Sequence, residues 1–186
     1  MLYNPQAEQC RWIFGYGSLM WQPGFGFERQ VTARLSGYHR RLSVYSHHYR
    51  GTSEKPGLVL GLDRGGSCVG VGFEVLGDHW LDVLAYVRER EMITGVYREI
   101  VTKVYVEGIE QPVLAVTYAV VKEHPQCAPA MSVGETMAFV AQGYGQSGSC
   151  ATYVRNTLAH LRSMGLYDAG LEKLAPALEK LGSSHP

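Results

Sequence analysis

Leu58-Val59-Leu60-Gly61-Leu62-Asp63-Arg64-Gly65-Gly66-Ser67-Cys68-Val69-Gly70-Val71-Gly72-Phe73-Glu74-Val75 is the stretch that decides the fold. Apolar runs flank Asp63-Arg64-Gly65-Gly66-Ser67, a cluster of turn-forming residues, so the pattern predicts a hairpin of antiparallel strands. Gly61, Gly70 and Gly72 sit inside the runs. A glycine within a strand has no side chain to pack, and it marks a bulge or the close approach of another backbone. The expectation is a curved sheet that closes on itself.

Working outward, Trp12-Ile13-Phe14 ends at Gly15 and reads as a short buried strand. Residues 31–35 and 38–45 read as strands separated by a turn at Ser36-Gly37. The period changes after residue 78. Trp80, Leu81, Leu84 and Val87 recur at helical spacing, with Asp78 placed to cap the helix. Residues 97–106 and 112–121, rich in Val, Thr and Tyr, return to strand around Glu107-Gly108. In the last third, Ser132 and Glu135 fit a capping box ahead of Val133, Met137, Val140 and Tyr144. Ser149 caps a helix carrying Val154, Leu158 and Leu161, and Gly165 stops it. Leu171, Leu174, Leu178 and Leu181 stripe a final segment that Pro176 should kink or shorten. The sequence therefore predicts a single α+β domain over residues 1–186: a mostly antiparallel closed sheet, one inserted helix and a helical C-terminal layer.

Composition narrows the function. The 186 residues are 46% hydrophobic and 18% charged, which suits a globular core. Lys plus Arg and Asp plus Glu are 17 each, so the chain lacks the basic footprint of a nucleic-acid binder and offers nothing to an anionic membrane. No apolar run approaches the roughly 20 residues needed to span a bilayer, and residues 1–10 are polar, so a cytoplasmic location is expected. Cys10, Cys68, Cys127 and Cys150 are scattered without a CxxC pair, which favours free thiols over a zinc site or a disulfide framework.

Few residues carry chemical promise. Gly15-Tyr16-Gly17-Ser18-Leu19 follows a buried strand, and its glycines would let the backbone turn sharply and point successive N–H groups into one anion-binding concavity. An ordinary tight turn is the competing reading. A dinucleotide fingerprint would need glycine where Met20 stands, and the βαβ context is missing. Glu91 extends the helix stripe of Trp80, Leu84 and Val87, being spaced from them by four, three and four residues, whereas Glu89 falls on the far side. A carboxyl at the apolar face of a helix C-terminus loses hydration and faces the negative end of the macrodipole; both raise its pKa. The alternatives for Glu91 are pairing with Arg90, Arg98 or Arg50, or a helix that ends before it. His47 and His48 are adjacent and would point to opposite faces of a strand, which disfavours chelation of a metal. Arg50 has the fork geometry to hold a carboxylate. Tyr153 sits beside the Val154 and Leu158 stripe and reads as core or as a ligand contact.

At these same residues the sequence resembles a known family. Phe14-Gly15-Tyr16-Gly17-Ser18-Leu19-Met20-Trp21 is similar to the opening motif of the ChaC family of γ-glutamylcyclotransferases. Arg50-Gly51-Thr52-Ser53-Glu54-Lys55-Pro56-Gly57 resembles that family's RGTPEKPG segment, with Ser53 in place of the usual proline. Arg90-Glu91-Met92 with Tyr97-Arg98 resembles the segment carrying its catalytic glutamate, in the longer bacterial form. Ser147-Gly148-Ser149-Cys150 with Tyr153 and Asn156 resembles its SGxCxxYxxN pattern. The resemblance implies a mixed, mostly antiparallel β-barrel with surrounding helices, working without cofactor or metal; a monomer acting on a small-molecule substrate is the expectation for partners. It implies a lyase that cleaves glutathione to 5-oxoproline and Cys-Gly. Glu91 would be the catalytic acid/base, and Tyr16, Gly17, Ser18, Leu19, Arg50 and Tyr153 would contact substrate. A cyclotransferase for other γ-glutamyl amines or γ-glutamyl-amino acids, and a non-catalytic module that binds γ-glutamyl metabolites, are the alternatives.

Overall fold

Strand β1, Trp12–Gly15, is buried at every position, as an apolar run bounded by glycine should be. It lies in a computed structural model that describes residues 4–182. The polar start from residue 1 and the single-domain expectation over 1–186 run past these residues. The other long strands are β2 (Arg29–Ser46), β3 (Gly57–Glu74), β4 (Tyr97–Val106) and β5 (Val113–Val120). They close a barrel in the order β1-β3-β2-β4-β5. The closure is mixed. Phe14 stands antiparallel to Gly72 of β3, whereas Ile13 runs parallel to Val116 of β5. The β4–β5 hairpin runs from Tyr97 opposite Val120 to Val104 opposite Val113. Gly72 is needed where the barrel curves: a Cβ there would sit 3.2 Å from the Cβ of Ala33 and 3.4 Å from the Trp12 ring.

Two turns expected from sequence are not turns. Strand β3 continues through Asp63-Arg64-Gly65-Gly66-Ser67, and β2 continues through Ser36-Gly37. Gly65 (φ 99°), Gly66 (φ 69°) and Gly37 (φ 83°) adopt left-handed backbone inside these strands. Positive-φ glycines bend a strand without reversing it, and β2 and β3 are neighbours in the barrel. A local turn pattern was therefore used as a bend.

Contacts group the described residues into two units. The first comprises those up to Arg40 together with Gly61–His124. Its core includes Ile13, Phe14, Leu35, Phe73, Trp80 and Tyr118, all fully buried; each apolar side chain of this size stabilises by roughly 1.5–3 kcal/mol. Helix α1, Trp80–Glu91, buries Trp80, Val83, Leu84 and Val87 and leaves Leu81 exposed, so the stripe is narrower than the sequence spacing suggested. Trp80 donates its Nε1–H to the Ala7 carbonyl at 2.9 Å. Asp78 does not cap α1: it lies in a 3-10 turn, Gly77–His79, that feeds directly into the helix, and His79 takes the cap position.

The second unit comprises Arg41–Leu60 and the described residues from Pro125 onward. Helix α2, Val133–Gln142, begins with the predicted capping box, Ser132 and Glu135 satisfying each other's backbone N–H groups. Met137 and Val140 face inward, but Val133 and Tyr144 are exposed; Tyr144 lies past the helix in a short ladder of β6 (Tyr144–Gly145) and β7 (Gly148–Ser149). Ser149 caps α3, Cys150–Ser163, by accepting from the Thr152 N–H. The leucine-striped tail is two helices, α4 (Ala169–Glu172) and α5 (Ala175–Gly182). Pro176 falls in the first turn of α5, where its missing N–H costs nothing, so it separates two helices instead of kinking one. Among the described residues no helix is long and apolar enough to cross a membrane.

Candidate active site

The segment after β1 is held from several directions. Gly15 ends the strand, and Ser18–Met20 forms one 3-10 turn closed by the Met20 N–H on the Gly17 carbonyl at 2.9 Å. Tyr16 is buried; its hydroxyl donates to the Tyr118 carbonyl at 2.9 Å, and its own carbonyl accepts from Arg40 Nε at 2.6 Å. Arg40 is buried as well and spends Nη2 on the Val69 carbonyl at 2.7 Å. Gly70 admits the loop: a Cβ there would stand 2.3 Å from the Gly15 carbonyl oxygen. Leu19 and Met20 anchor inward, and Ser18 is the half-exposed position of the turn.

The turn is made differently from the sequence expectation. Gly17 has φ −128°, and no residue of the segment adopts a left-handed backbone. The 3-10 turn does the work: the first N–H groups of a helical turn have no partner inside it, so those of Ser18 and Leu19 head the same way. A donor pair results without a left-handed glycine.

Glu91 is the last residue of α1, one turn past Val87 on the same stripe. Its side chain is 19% exposed, so it is largely withdrawn from solvent. Burial pushes its pKa above the usual carboxylate range, and the Arg90 guanidinium pulls against that. Arg90 is the arginine that pairs with it, Nε to Oε1 at 3.3 Å. The same guanidinium donates from Nη2 to Ser18 Oγ at 2.9 Å. Glu91 and the Ser18 turn therefore lie on two edges of one side chain, and the structure brings the predicted base and the predicted donor loop together within the first unit.

Behind them lies a buried ionic network that the sequence reading passed over. Glu99 of β4 has no exposed side-chain surface; it accepts from Arg88 Nε at 2.8 Å and Nη2 at 2.9 Å, and from the Asn4 N–H at 2.9 Å. Tyr118 donates its hydroxyl to Glu99 at 3.3 Å. Burial, then the charges of Glu99 and Glu91, push the Tyr118 phenol far up, so it stays a donor at any working pH. The available signal was period two: Glu99 shares its strand face with Tyr97 and Val101.

Arg50 and Tyr153 meet in the second unit. The Arg50 guanidinium lies 5.3 Å over the Tyr153 ring, and Nη1 donates to the Ser147 carbonyl. The Tyr153 hydroxyl accepts from the Leu60 N–H at 3.3 Å. Cys150 donates its thiol to the Leu58 carbonyl at 3.0 Å, and burial pushes that thiol up to about 11, which leaves it unreactive. Gly57 and Gly143 allow this packing, since a Cβ at either would lie 2.5 Å or less from the Arg50 carbonyl oxygen. His47 and His48 follow the end of β2 in an exposed bend rather than on a strand. Among the described residues no cluster of His, Cys, Asp and Glu could hold a metal ion.

A family model described as ChaC-like protein matches residues 11–181. The chain belongs to the ChaC-like family. This ChaC-like chain is 31% identical over 170 residues to the glutathione-specific gamma-glutamylcyclotransferase of Escherichia coli K12, covering 91% of the chain and 73% of that relative. It is 33% identical over 154 residues to glutathione-specific gamma-glutamylcyclotransferase 1 of Danio rerio, covering 81% of the chain and 79% of the relative. Among solved structures, it matches the crystal structure of a selenomethionine-labelled γ-glutamyl cyclotransferase specific to glutathione from yeast, with a TM-score of 0.83, 20% identity, and coverage of 91% of this chain and 96% of the other. The α+β fold, with its mixed barrel, is thus the fold of that cyclotransferase.

Proposed function

We propose that this ChaC-like protein is a γ-glutamylcyclotransferase that converts glutathione to 5-oxoproline and Cys-Gly. The observation that carries the reading is Glu91: a desolvated carboxyl of raised proton affinity, joined through one guanidinium to a turn that offers N–H donors. The names of the relatives supply the substrate class.

The reaction asks little else. The α-amine of the γ-glutamyl group must lose a proton before its lone pair can attack the γ-carbonyl. Glu91 takes that proton. The new N–C bond closes a five-membered lactam, and the tetrahedral oxyanion is stabilised by the Tyr16–Leu19 segment through the Ser18 and Leu19 N–H groups. The bond from the γ-carbon to the cysteine nitrogen then breaks as Glu91 returns its proton to that nitrogen, and the surplus proton of the ring nitrogen passes to the departing amine, which leaves as an ammonium. Attack is intramolecular, so holding the substrate folded provides much of the rate. Tyr16 and Gly17 shape the turn in the first unit; Arg50 and Tyr153, which meet within the second, are taken as substrate contacts on the sequence resemblance, Arg50 as a holder of carboxylate. The cysteines among the described residues are free thiols, as suits the reducing cytoplasm.

Incubation of the purified protein with glutathione tests the reading. Wild type should release 5-oxoproline and Cys-Gly in equal amounts, and Glu91→Gln, with an unchanged circular dichroism spectrum, should release neither. Wild-type turnover in that variant would remove Glu91 from the mechanism. Turnover of another γ-glutamyl amine in place of glutathione would reassign the substrate.

A further inference from the structure

Neighbouring residues on a helix point about 100° apart and do not ordinarily face each other. Arg90 and Glu91 nevertheless pair, at the very end of α1. Arg90 does so while spending its remaining donors on a single stretch of chain: Nη2 on Ser18 Oγ at 2.9 Å, and Nη1 on the Gln22 carbonyl at 2.7 Å and the Pro23 carbonyl at 3.1 Å. The Tyr86 hydroxyl, one turn back on α1, lies 3.5 Å from the same nitrogen. With 22% of its side chain exposed, Arg90 is no loose surface cation.

We propose that Arg90 is a positioning residue: its guanidinium fixes the Glu91 carboxyl relative to the Ser18 turn, so that base and oxyanion donors stand in register. The proposal rests on Glu91 being the acid/base. Only a planar fork reaches these partners together, because a lysine ammonium is a point charge without that spread. A mere loop clamp would need the Ser18, Gln22 and Pro23 bonds but not the Nε contact to Glu91. That contact has a cost, since a cation beside the carboxylate lowers its proton affinity against the effect of burial. The charged and titratable groups bearing on Glu91 are Arg90 from its own helix and Tyr118 from β5, whose hydroxyl is held by Glu99.

Arg90→Lys and Arg90→Gln, assayed on glutathione across pH beside Glu91→Gln, test this. Arg90→Lys should fold, keep the acid limb of kcat near its wild-type position and lose about 10- to 100-fold in kcat, the scale of a misplaced catalytic group. Arg90→Gln should lose at least as much, and its acid limb should move to higher pH, because burial of Glu91 is no longer opposed. Either variant retaining wild-type kcat with an unmoved acid limb, whatever its melting temperature, would overturn the proposal. If Arg90→Gln fails to fold, Arg90→Lys decides through kcat. The parent reading fails separately: there Glu91→Gln itself turns over normally.

Discussion

The hydroxyl of Tyr16 donates to the backbone carbonyl of Tyr118 at 2.9 Å, with both side chains buried. This bond links the donor turn after β1 to the strand whose Tyr118 side chain reaches the Glu99 carboxylate. It joins residues 102 apart in sequence.

Removing that bond isolates its worth. Tyr16→Phe keeps the ring and leaves a buried carbonyl without its donor, a loss of about 1 kcal/mol. The melting temperature should fall by about 2–4 °C at this chain size, and KM for glutathione should rise as the turn loosens. Calorimetry and steady-state kinetics on one preparation measure both.

Gly70→Ala places a Cβ 2.3 Å from the Gly15 carbonyl oxygen, a backbone atom that cannot step aside alone. The expected cost is on the order of 2 kcal/mol, with activity falling alongside stability because the shifted backbone is the one leading into Tyr16–Leu19. Gly134→Ala is the contrasting change: it lies in α2, where a Cβ meets nothing within 4 Å, and should stabilise by about 0.5 kcal/mol. Urea denaturation of both variants gives opposite signs if the packing is as described.

Glu91 binds its proton more tightly in the folded chain than in the unfolded one. A raised folded-state pKa contributes stability that is fully present below the unfolded value of about 4.3 and lost as pH climbs through the folded value. Glu91→Gln carries no such dependence. The variant should therefore be more stable than wild type at pH 8, and the gap should shrink as pH falls through the raised pKa. Wild-type kcat should fall over the same interval, as the base becomes protonated. Melting curves from pH 4 to 8, paired with rates, check both; a gap that widens on acidification would contradict the sign.

Two ion pairs should differ sharply. Glu99 has no exposed side-chain surface and takes both prongs of Arg88, so Glu99→Ala strands a partly buried guanidinium and should cost on the order of 3–5 kcal/mol. Arg162, 53% exposed, makes a bond of 2.6 Å to Glu172, yet Arg162→Ala should cost under about 1 kcal/mol, since water replaces the partner. Chemical denaturation of the two variants measures the difference.

Local patterns were read well where the physics is local. The stripe of Trp80, Leu84 and Val87 placed Glu91 on the buried side of α1, the Ser132 and Glu135 box marked the start of α2, and the Glu107-Gly108 turn divided β4 from β5. Misreadings came where a local signal had a distant use. Gly65-Gly66 carries every mark of a hairpin turn, but the strand bends there and continues without reversing. Asp78 has the chemistry of a cap, but a preceding 3-10 turn occupies that position. The donor turn is legible in the sequence as a place but not as a conformation, since its glycines predict the bend and a 3-10 turn makes it, with Gly17 at φ −128°.

The sequence by itself determined the faces of the elements and the residue types offered at the site, because side-chain period and capping chemistry act over a few residues. It named Arg90 as one of several arginines that could answer Glu91. Tertiary structure alone decided that β1 runs parallel to β5, that Glu99 is answered by Arg88 and Tyr118, and that Arg90 faces both Glu91 and Ser18. Such partners lie up to about a hundred positions apart, and an apolar or polar pattern records which way a side chain points without recording what it meets.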